Sequence, residues 1–321
     1  MKTIAITGAG GQIGYALVFR VLSFFEEKNE KIHLKLIDLS AVMPSMAGLA
    51  MEIDDCAFAC LASLTITDDL HVGFKDVDWA FLVGAMPRQK GMERSDLLSK
   101  NALIFKEQGQ ALNEVANPEA HVLVVGNPCN TNALIAAHYA PKLNKNHFYG
   151  MMMLDELRAR AQVANQVNTD VENVKNMIVW GNHSATQFPD YTHATVDGKP
   201  VTELCNENWL KETFIPKNQK RGAEVIAARG ASSAASAANA ALETMKRILY
   251  PDGQPFSVGV RSNGEYGAKA GLMAAYPCIV SSGEVKIIDD LALDPFVKAQ
   301  VQLSFDELAA EYDQLKVLNV L

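Results

Sequence analysis

One histidine, one aspartate and a few arginines carry the chemistry most readily read from this sequence. His183 lies in Trp180-Gly181-Asn182-His183-Ser184, directly after a short apolar run, Met177–Gly181, that reads as a strand. An imidazole at a strand end can serve as a general acid–base near neutral pH, and it can equally be a hydrogen-bonded structural residue. A carboxylate partner would favour the first reading, because it fixes one tautomer and raises the imidazole pKa. Asp155, in Leu154-Asp155-Glu156-Leu157-Arg158-Ala159-Arg160, is the candidate partner. Asp155 and Arg158 are three residues apart and so share a helical face. Alone, such a pair is more often a surface ion pair. Arg88 and Arg94 stand in a basic, glycine-containing loop, Met86–Arg94, just past a predicted strand. Guanidinium groups at that place could grip an anionic small molecule.

A second group of residues points to a dinucleotide. Gly8-Ala9-Gly10-Gly11-Gln12-Ile13-Gly14 follows a buried strand and opens a helix. Its spacing departs from plain G-x-G-x-x-G, and the glycines also fit G-x-x-G-x-x-G. Glycines there allow a tight turn and a close approach of backbone N–H groups to a pyrophosphate, at the positive end of a helix. Asp38 ends the second predicted strand, where a carboxylate accepts both ribose hydroxyls and repels a 2′-phosphate. The cofactor expected is therefore NAD, not NADP. Ligands bind at the carboxyl edge of such sheets, which also nominates Gly84, Val125, Gly126 and Asn127.

The elements that must position these residues alternate in the first half. Strands are predicted at Lys2–Thr7, His33–Asp38, Val77–Gly84 and His121–Gly126, and helices at Gln12–Glu27, Met43–Leu61 and Ser95–Asn117. The nearly continuous apolar strands fit a parallel sheet covered on both faces, hence a doubly wound α/β domain of the Rossmann type. The second half reads as a mixed α+β substrate domain. It holds the Met177–Gly181 strand and a hairpin at Tyr191–Val201 around Asp197-Gly198. A helical stretch follows at Lys217–Leu249, interrupted near Gly230, then a hairpin at Cys278–Ile288 and a last helix at Pro295–Lys316. The boundary is placed near Gly150, giving domains 1–150 and 151–321.

Composition narrows the function classes. A chain of 321 residues with a formal net charge of −8 is poorly suited to nucleic acid or acidic membranes. No apolar run reaches transmembrane length, and the strand beginning at Thr3 leaves no room for a signal peptide, so a cytoplasmic protein is expected. The cysteines number five, without a C-x-x-C pair, and read as free thiols. The histidines lack metal spacing, and no metal is expected. An epimerase or short-chain dehydrogenase would need Tyr-x-x-x-Lys beside the cofactor. Tyr312 and Lys316 alone have that spacing, almost at the C-terminus.

Taken together, Gly8–Gly14, Val83–Leu98, Val125–Pro128, Leu154–Arg160 and Gly181–Pro189 resemble the cytosolic-type malate dehydrogenases of the lactate/malate dehydrogenase family. The resemblance runs in order along essentially the whole chain. It implies reversible, NAD-dependent oxidation of malate to oxaloacetate, a place in the tricarboxylic acid cycle, and a homodimer with the Met43–Leu61 helix at its interface. It implies His183 as acid–base with Asp155 behind it, and Arg158 on the carboxylate next to the reacting carbon. Arg94 would polarise the carbonyl and Arg88 would read the distal carboxylate. Asn127 and Ser232 would line the substrate pocket, and Asn101 and Gln108 would contact cofactor. Gly10 departs from the alanine common in relatives, a change that adds backbone freedom without abolishing binding.

Overall fold

A computed structural model describes residues 1–86 and 94–321, and the side chains of 1–86 and 98–321. The chain forms two compact units. The first comprises Met1–Tyr149, Ala234–Leu242 and Gln314–Leu321. The second comprises Gly150–Ser233 and Glu243–Asp313.

The first unit is built on strands β1 (Lys2–Thr7), β2 (Ile32–Ile37), β3 (Leu61–Thr67), β4 (Trp79–Leu82), β5 (His121–Val124) and β6 (Phe148–Gly150), in the order β6-β5-β4-β1-β2-β3. The pairs β1–β2, β2–β3, β1–β4 and β4–β5 are parallel. Helices α1 (Gln12–Glu27), α2 (Met43–Asp55), α3 (Leu70–Phe74), α4 (Arg94–Val115) and α5 (Cys129–His138) connect them. Ile4, Ala5, Ile6, Ala80, Phe81, Leu82, Val122, Leu123 and Val124 are fully buried, as a sheet covered on both faces requires. Strand order reverses between β1 and β4, where Thr7 pairs with Leu82, so the chain leaves the sheet in opposite directions at this point. Such a switch point opens a crevice at the carboxyl ends of the strands.

One expected element is corrected. The helix predicted over Met43–Leu61 stops at Asp55, and Leu61 instead begins β3. Ala57 takes a left-handed φ of 51°, which ends the helix. The alternating, β-branched run Leu61–Thr67 then pairs with β2. The strands predicted as third and fourth are accordingly β4 and β5.

In the second unit, β12 (Phe256–Arg261), β13 (Met273–Ser281) and β14 (Glu284–Ile287) form an antiparallel set. Two smaller sheets join β7 (Val174–Lys175), β10 (Thr195–Val196) and β11 (Lys199–Pro200), and β8 (Ile178–Trp180) with β9 (Phe188–Asp190). Both predicted hairpins are present. Their turns, Asp197-Gly198 and Ser282-Gly283, place both central residues at positive φ, as type I′ turns do. Helix α6 (Met153–Val167) carries the LDELRAR run, followed by the short α7 (Val201–Leu204) and α8 (Glu207–Trp209). The long predicted helix is two, α9 (Ile215–Arg229) and α10 (Ala235–Leu249), parted by Gly230 at φ 73°. Helix α11 (Pro295–Val317) follows.

Candidate active site

At the switch point of the first unit the backbone itself forms a cradle. Gly8 stands at φ +63°, and a Cβ there would meet Gly84 Cα at 2.7 Å. A Cβ on Gly14 would meet the Gly8 carbonyl oxygen at 2.1 Å. These two positions therefore accept only glycine, and the loop presses against the end of β4. Thr7 Oγ1 fixes that approach by accepting from Val83 N at 3.1 Å and Gly84 N at 3.2 Å. Gly10, Gly11 and Gln12 are exposed, and Ile13 is half-buried. Gly11 is the N-cap of α1, with no side-chain cap and no acid in the first turn. An uncapped, glycine-lined helix N-terminus attracts an anion such as a pyrophosphate.

Asp38 turns back over this loop. Its Oδ2 accepts Gly10 N at 2.8 Å, and its Oδ1 accepts Leu39 N at 2.8 Å. A Cβ on Gly10 would meet Val42 Cγ1 at 2.7 Å and Asp38 Oδ2 at 3.3 Å, so an alanine here would push on side chains that can give. The carboxylate, the exposed loop and the bare helix end together fit an adenosine ribose and pyrophosphate. Gly84 is half-buried, Val125 and Gly126 are buried, and Asn127 is exposed at the end of β5. Asn101 is fully buried. Its side chain accepts Met86 N at 2.8 Å and donates to the carbonyls of Met86 and Asn127 at 3.3 Å, so it ties two loop ends together. Gln108 is buried, with Oε1 unpartnered among the described residues.

In the second unit, α6 opens with Met153-Leu154-Asp155, and the helix start favours the Asp155 carboxylate. The Asp155 side chain is fully buried and hydrogen-bonds through Oδ2 to His183 Nδ1, so the pairing that the sequence left open is made. Its Oδ1 accepts from Arg158 Nη1 and Gln187 Nε2, both at 3.1 Å. Arg158 Nη2 donates to Ser233 Oγ at 3.1 Å. Burial works to lower the His183 pKa, but the charge and hydrogen bond of Asp155 outweigh it and raise the value above that of a free imidazole. For Asp155, burial raises the pKa, while His183, Arg158 and Gln187 together carry it below the usual carboxylate value.

The loop bearing His183 is gripped from α11. Gly181 sits at φ +87°, and a Cβ there would strike Ser304 Oγ at 2.1 Å. Asn182 N donates to Ser304 Oγ at 2.8 Å, and Asn182 Nδ2 donates to Glu307 Oε2 at 2.9 Å and Glu311 Oε1 at 3.1 Å. Thr186 Oγ1 donates to Glu307 Oε2 at 2.6 Å, and Ser184 Oγ donates to the same oxygen. The residues on either side of His183 are thus fastened, leaving its ring to be oriented by Asp155.

The placements differ in kind. His183, Asp155 and Arg158 come together. Ser232 is exposed and gives its carbonyl to Arg229, whereas its neighbour Ser233 supplies the hydroxyl at Arg158. Arg88 and the side chain of Arg94 lie outside the described residues. Sequence reasoning missed Thr7, Gln187, Ser233, Ser304 and Glu307 as site-building residues. Ser304, Glu307 and Glu311 recur at i, i+3 and i+7 on one helical face, a polar stripe whose target no local pattern names. Among the described residues no group of three or more His, Cys, Asp or Glu could hold a metal, and no helix is long and apolar enough to cross a membrane.

Residues 2–149 match the NAD binding domain of lactate/malate dehydrogenases, and residues 153–318 match the alpha/beta C-terminal domain of the same family. A curated malate dehydrogenase of Cutibacterium acnes is 47% identical over 320 residues, covering 99% of this chain and 98% of that protein. Among solved structures, malate dehydrogenase of Naegleria fowleri superposes with a TM-score of 0.94 at 37% identity, covering 100% of this chain and 98% of its own. Lactate dehydrogenase of Trichomonas vaginalis, solved with NADH and oxamate, superposes with a TM-score of 0.93 at 35% identity, covering 100% and 99%.

Proposed function

The chain belongs to the lactate/malate dehydrogenase family, and from that membership we propose that it interconverts malate and oxaloacetate with NAD as cofactor. The observation that carries the reading is the buried Asp155 carboxylate holding His183 on one oxygen and Arg158 on the other. That constellation couples a proton acceptor to an anion-binding group.

NAD, when bound, supplies the hydride acceptor. Gly8–Gly14 and Asp38 would hold its pyrophosphate and adenosine ribose, with Gly84, Val125, Gly126 and Asn127 along the strand ends and Asn101 and Gln108 behind them. In the oxidation direction His183 takes the substrate hydroxyl proton at Nε2 while Nδ1 stays on Asp155. Asp155 stabilises the imidazolium so formed. In reduction, protonated His183 returns that proton to the ketone oxygen, and Arg94 stabilises the negative charge developing there. Arg158 grips the carboxylate beside the reacting carbon and fixes its orientation. Asn127 and Ser232 would each contact substrate. Arg88 grips the second carboxylate and sets the preference for a four-carbon dicarboxylate over lactate, a discrimination that a dedicated polar contact can raise to about 10⁴-fold.

The 47% identical relative supports malate as substrate. The solved lactate dehydrogenase, at 35% identity, supports lactate as the second reading. Malate-dependent NADH formation, measured beside lactate and with NADP in place of NAD, tests both. Absence of turnover with malate, or a preference for lactate, defeats the proposal. We further place the enzyme in the cytoplasm, in the tricarboxylic acid cycle, as a homodimer. Helix α2, which carries exposed Met51, is the interface element in this reading, and sedimentation tests it.

A further inference from the structure

We propose that Gln187 is a positioning residue for the acid–base pair, its side-chain amide pinning Asp155 Oδ1 so that Oδ2 alone is presented to His183. This rests on the dehydrogenase reading above and assigns a function to a residue that touches no substrate in it.

Gln187 is 3% exposed and lies four residues beyond His183, at the start of the run that enters β9. Its Nε2 faces two acceptors, Asp155 Oδ1 at 3.1 Å and the Asn218 carbonyl at 3.4 Å. Both demand a donor, so the amide nitrogen must point that way. The price is visible on the other side of the amide: Oε1 is buried without a hydrogen-bond partner among the described residues. An orphaned buried acceptor is unfavourable, and an apolar side chain of similar shape would avoid it. Helix α9 holds the residue in place. Gln219 Nε2 donates to the Gln187 carbonyl at 2.9 Å, and buried Asn218 is itself tied to the Phe214 carbonyl at 2.9 Å.

A carboxylate with one hydrogen-bonded partner can swing about its Cβ–Cγ bond. Asp155 has partners on both oxygens, and its Oδ1 is shared between a charged donor, Arg158, and a neutral one, Gln187. Among the described residues, the charged groups that act on the pair are Asp155 and Arg158 from α6 and His183 from its own loop. The neighbouring Glu156 is directed elsewhere, accepting Ser257 N at 2.7 Å. From helix α9, the Asn218 carbonyl accepts from the Gln187 side chain and the Gln219 side-chain amide donates to the Gln187 carbonyl. The Gln187 donor therefore drains negative charge from the carboxylate that stabilises the imidazolium. Removing it leaves a more basic carboxylate, and replacing it by an acid adds a second negative charge; both hold the His183 proton to higher pH.

The test compares Gln187→Met, Gln187→Glu and Gln219→Met with the parent in the full-length enzyme. The readouts are the pH dependence of kcat for malate oxidation and the affinity for NADH. The expected result is a midpoint raised by about half a pH unit in Gln187→Met and by more in Gln187→Glu, with kcat reduced about tenfold and NADH affinity held within about twofold. Gln219→Met, which only loosens the support, moves the midpoint in the same direction by less. A role confined to packing would lower the melting temperature and leave the pH midpoint in place, and that result overturns the inference. If neither Gln187 variant folds, an unmoved midpoint in Gln219→Met overturns it instead. Failure of the parent to oxidise malate would strike the proposed function, not this assignment, so the two are separable.

Discussion

Arg158 donates to the same Asp155 carboxylate that holds His183, with Nη1 3.1 Å from Oδ1. Two cationic groups, Arg158 and the protonated His183, therefore share one buried anion. Burial and, more weakly, Arg158 disfavour the charged ring, and Asp155 outweighs them, with a net upward shift for His183. Oxidation of a hydroxy acid needs the neutral ring, so kcat/KM for malate should rise as pH passes upward through the His183 pKa; reduction of oxaloacetate should fall over the same range. Asp155→Asn removes the group that raises this pKa. The oxidation midpoint should move to lower pH, and kcat should drop by about 10²- to 10⁴-fold. Full pH–rate profiles in both directions check the sign.

Arg158→Lys keeps the charge and loses the planar fork that reaches Asp155 and Ser233 at once. An ammonium group cannot satisfy both partners and also grip a carboxylate bidentately. The expected outcome is a KM for malate raised about tenfold or more, with NADH affinity little changed. Steady-state kinetics beside a cofactor titration distinguish the two.

Asp38→Ser should weaken selection against a 2′-phosphate. It removes the carboxylate that would repel that group and also the acceptor of Gly10 N. The ratio of kcat/KM for NAD over NADP should fall by about tenfold or more, partly because NAD itself binds less well. Parallel titrations with the two nucleotides measure it.

Glu307→Ala releases the clamp on the residues around His183. It strips Ser184, Thr186 and, in part, Asn182 of their acceptor, although Glu311 retains one bond to Asn182. Losing partners at half-buried and buried donors costs about 1–3 kcal/mol, read as a lower denaturation midpoint. Turnover should fall as well, because the loop that carries His183 is then held only by Ser304 and Glu311 among these contacts. Glu307→Gln, which keeps an acceptor oxygen, should restore part of both.

Glu156 behaves differently from its neighbour. Burial raises its pKa from 4.5 to about 7, against the opposing pull of the Ser257 hydrogen bonds and of Arg160 and Arg247. The folded protein thus keeps a proton that the unfolded chain releases near 4.5, so stability falls as pH rises between these values. The penalty is on the order of 3 kcal/mol and complete above the folded value. Glu156→Gln carries no such penalty. Its melting temperature relative to the parent should improve from pH 5 to pH 8, as scanning calorimetry would record.

Much of this molecule was legible in its residues. Continuous apolar strands and amphipathic helices marked the parallel sheet of the first unit, and Asp197-Gly198 and Ser282-Gly283 marked both hairpins. Strand β3 was not legible. Leu61–Thr67 lies at the sheet edge with exposed Ala62 and Ser63, so its apolar signal is weak. Strand β12 was also missed, because its burial comes from neighbours far along the chain. At the site, Asp155 and His183 could be nominated by type, but only the fold brings residues 28 positions apart within hydrogen-bond reach. Gln187, Ser233 and Glu307 carry no intrinsic reactivity. Their importance is purely relational, and neither periodicity nor residue type reveals which carboxylate or hydroxyl they will meet.

The first unit gathers pieces from three separate stretches of the chain. Its interior bonds reflect this: Tyr139 OH donates to the Val320 carbonyl at 2.8 Å, and Arg20 Nη1 donates to Asn239 Oδ1 at 2.9 Å. Both partners, Asn239 and Val320, lie well beyond Tyr149 in the chain. A fragment ending at Tyr149 would therefore lack partners that the rest of the chain supplies to the first unit.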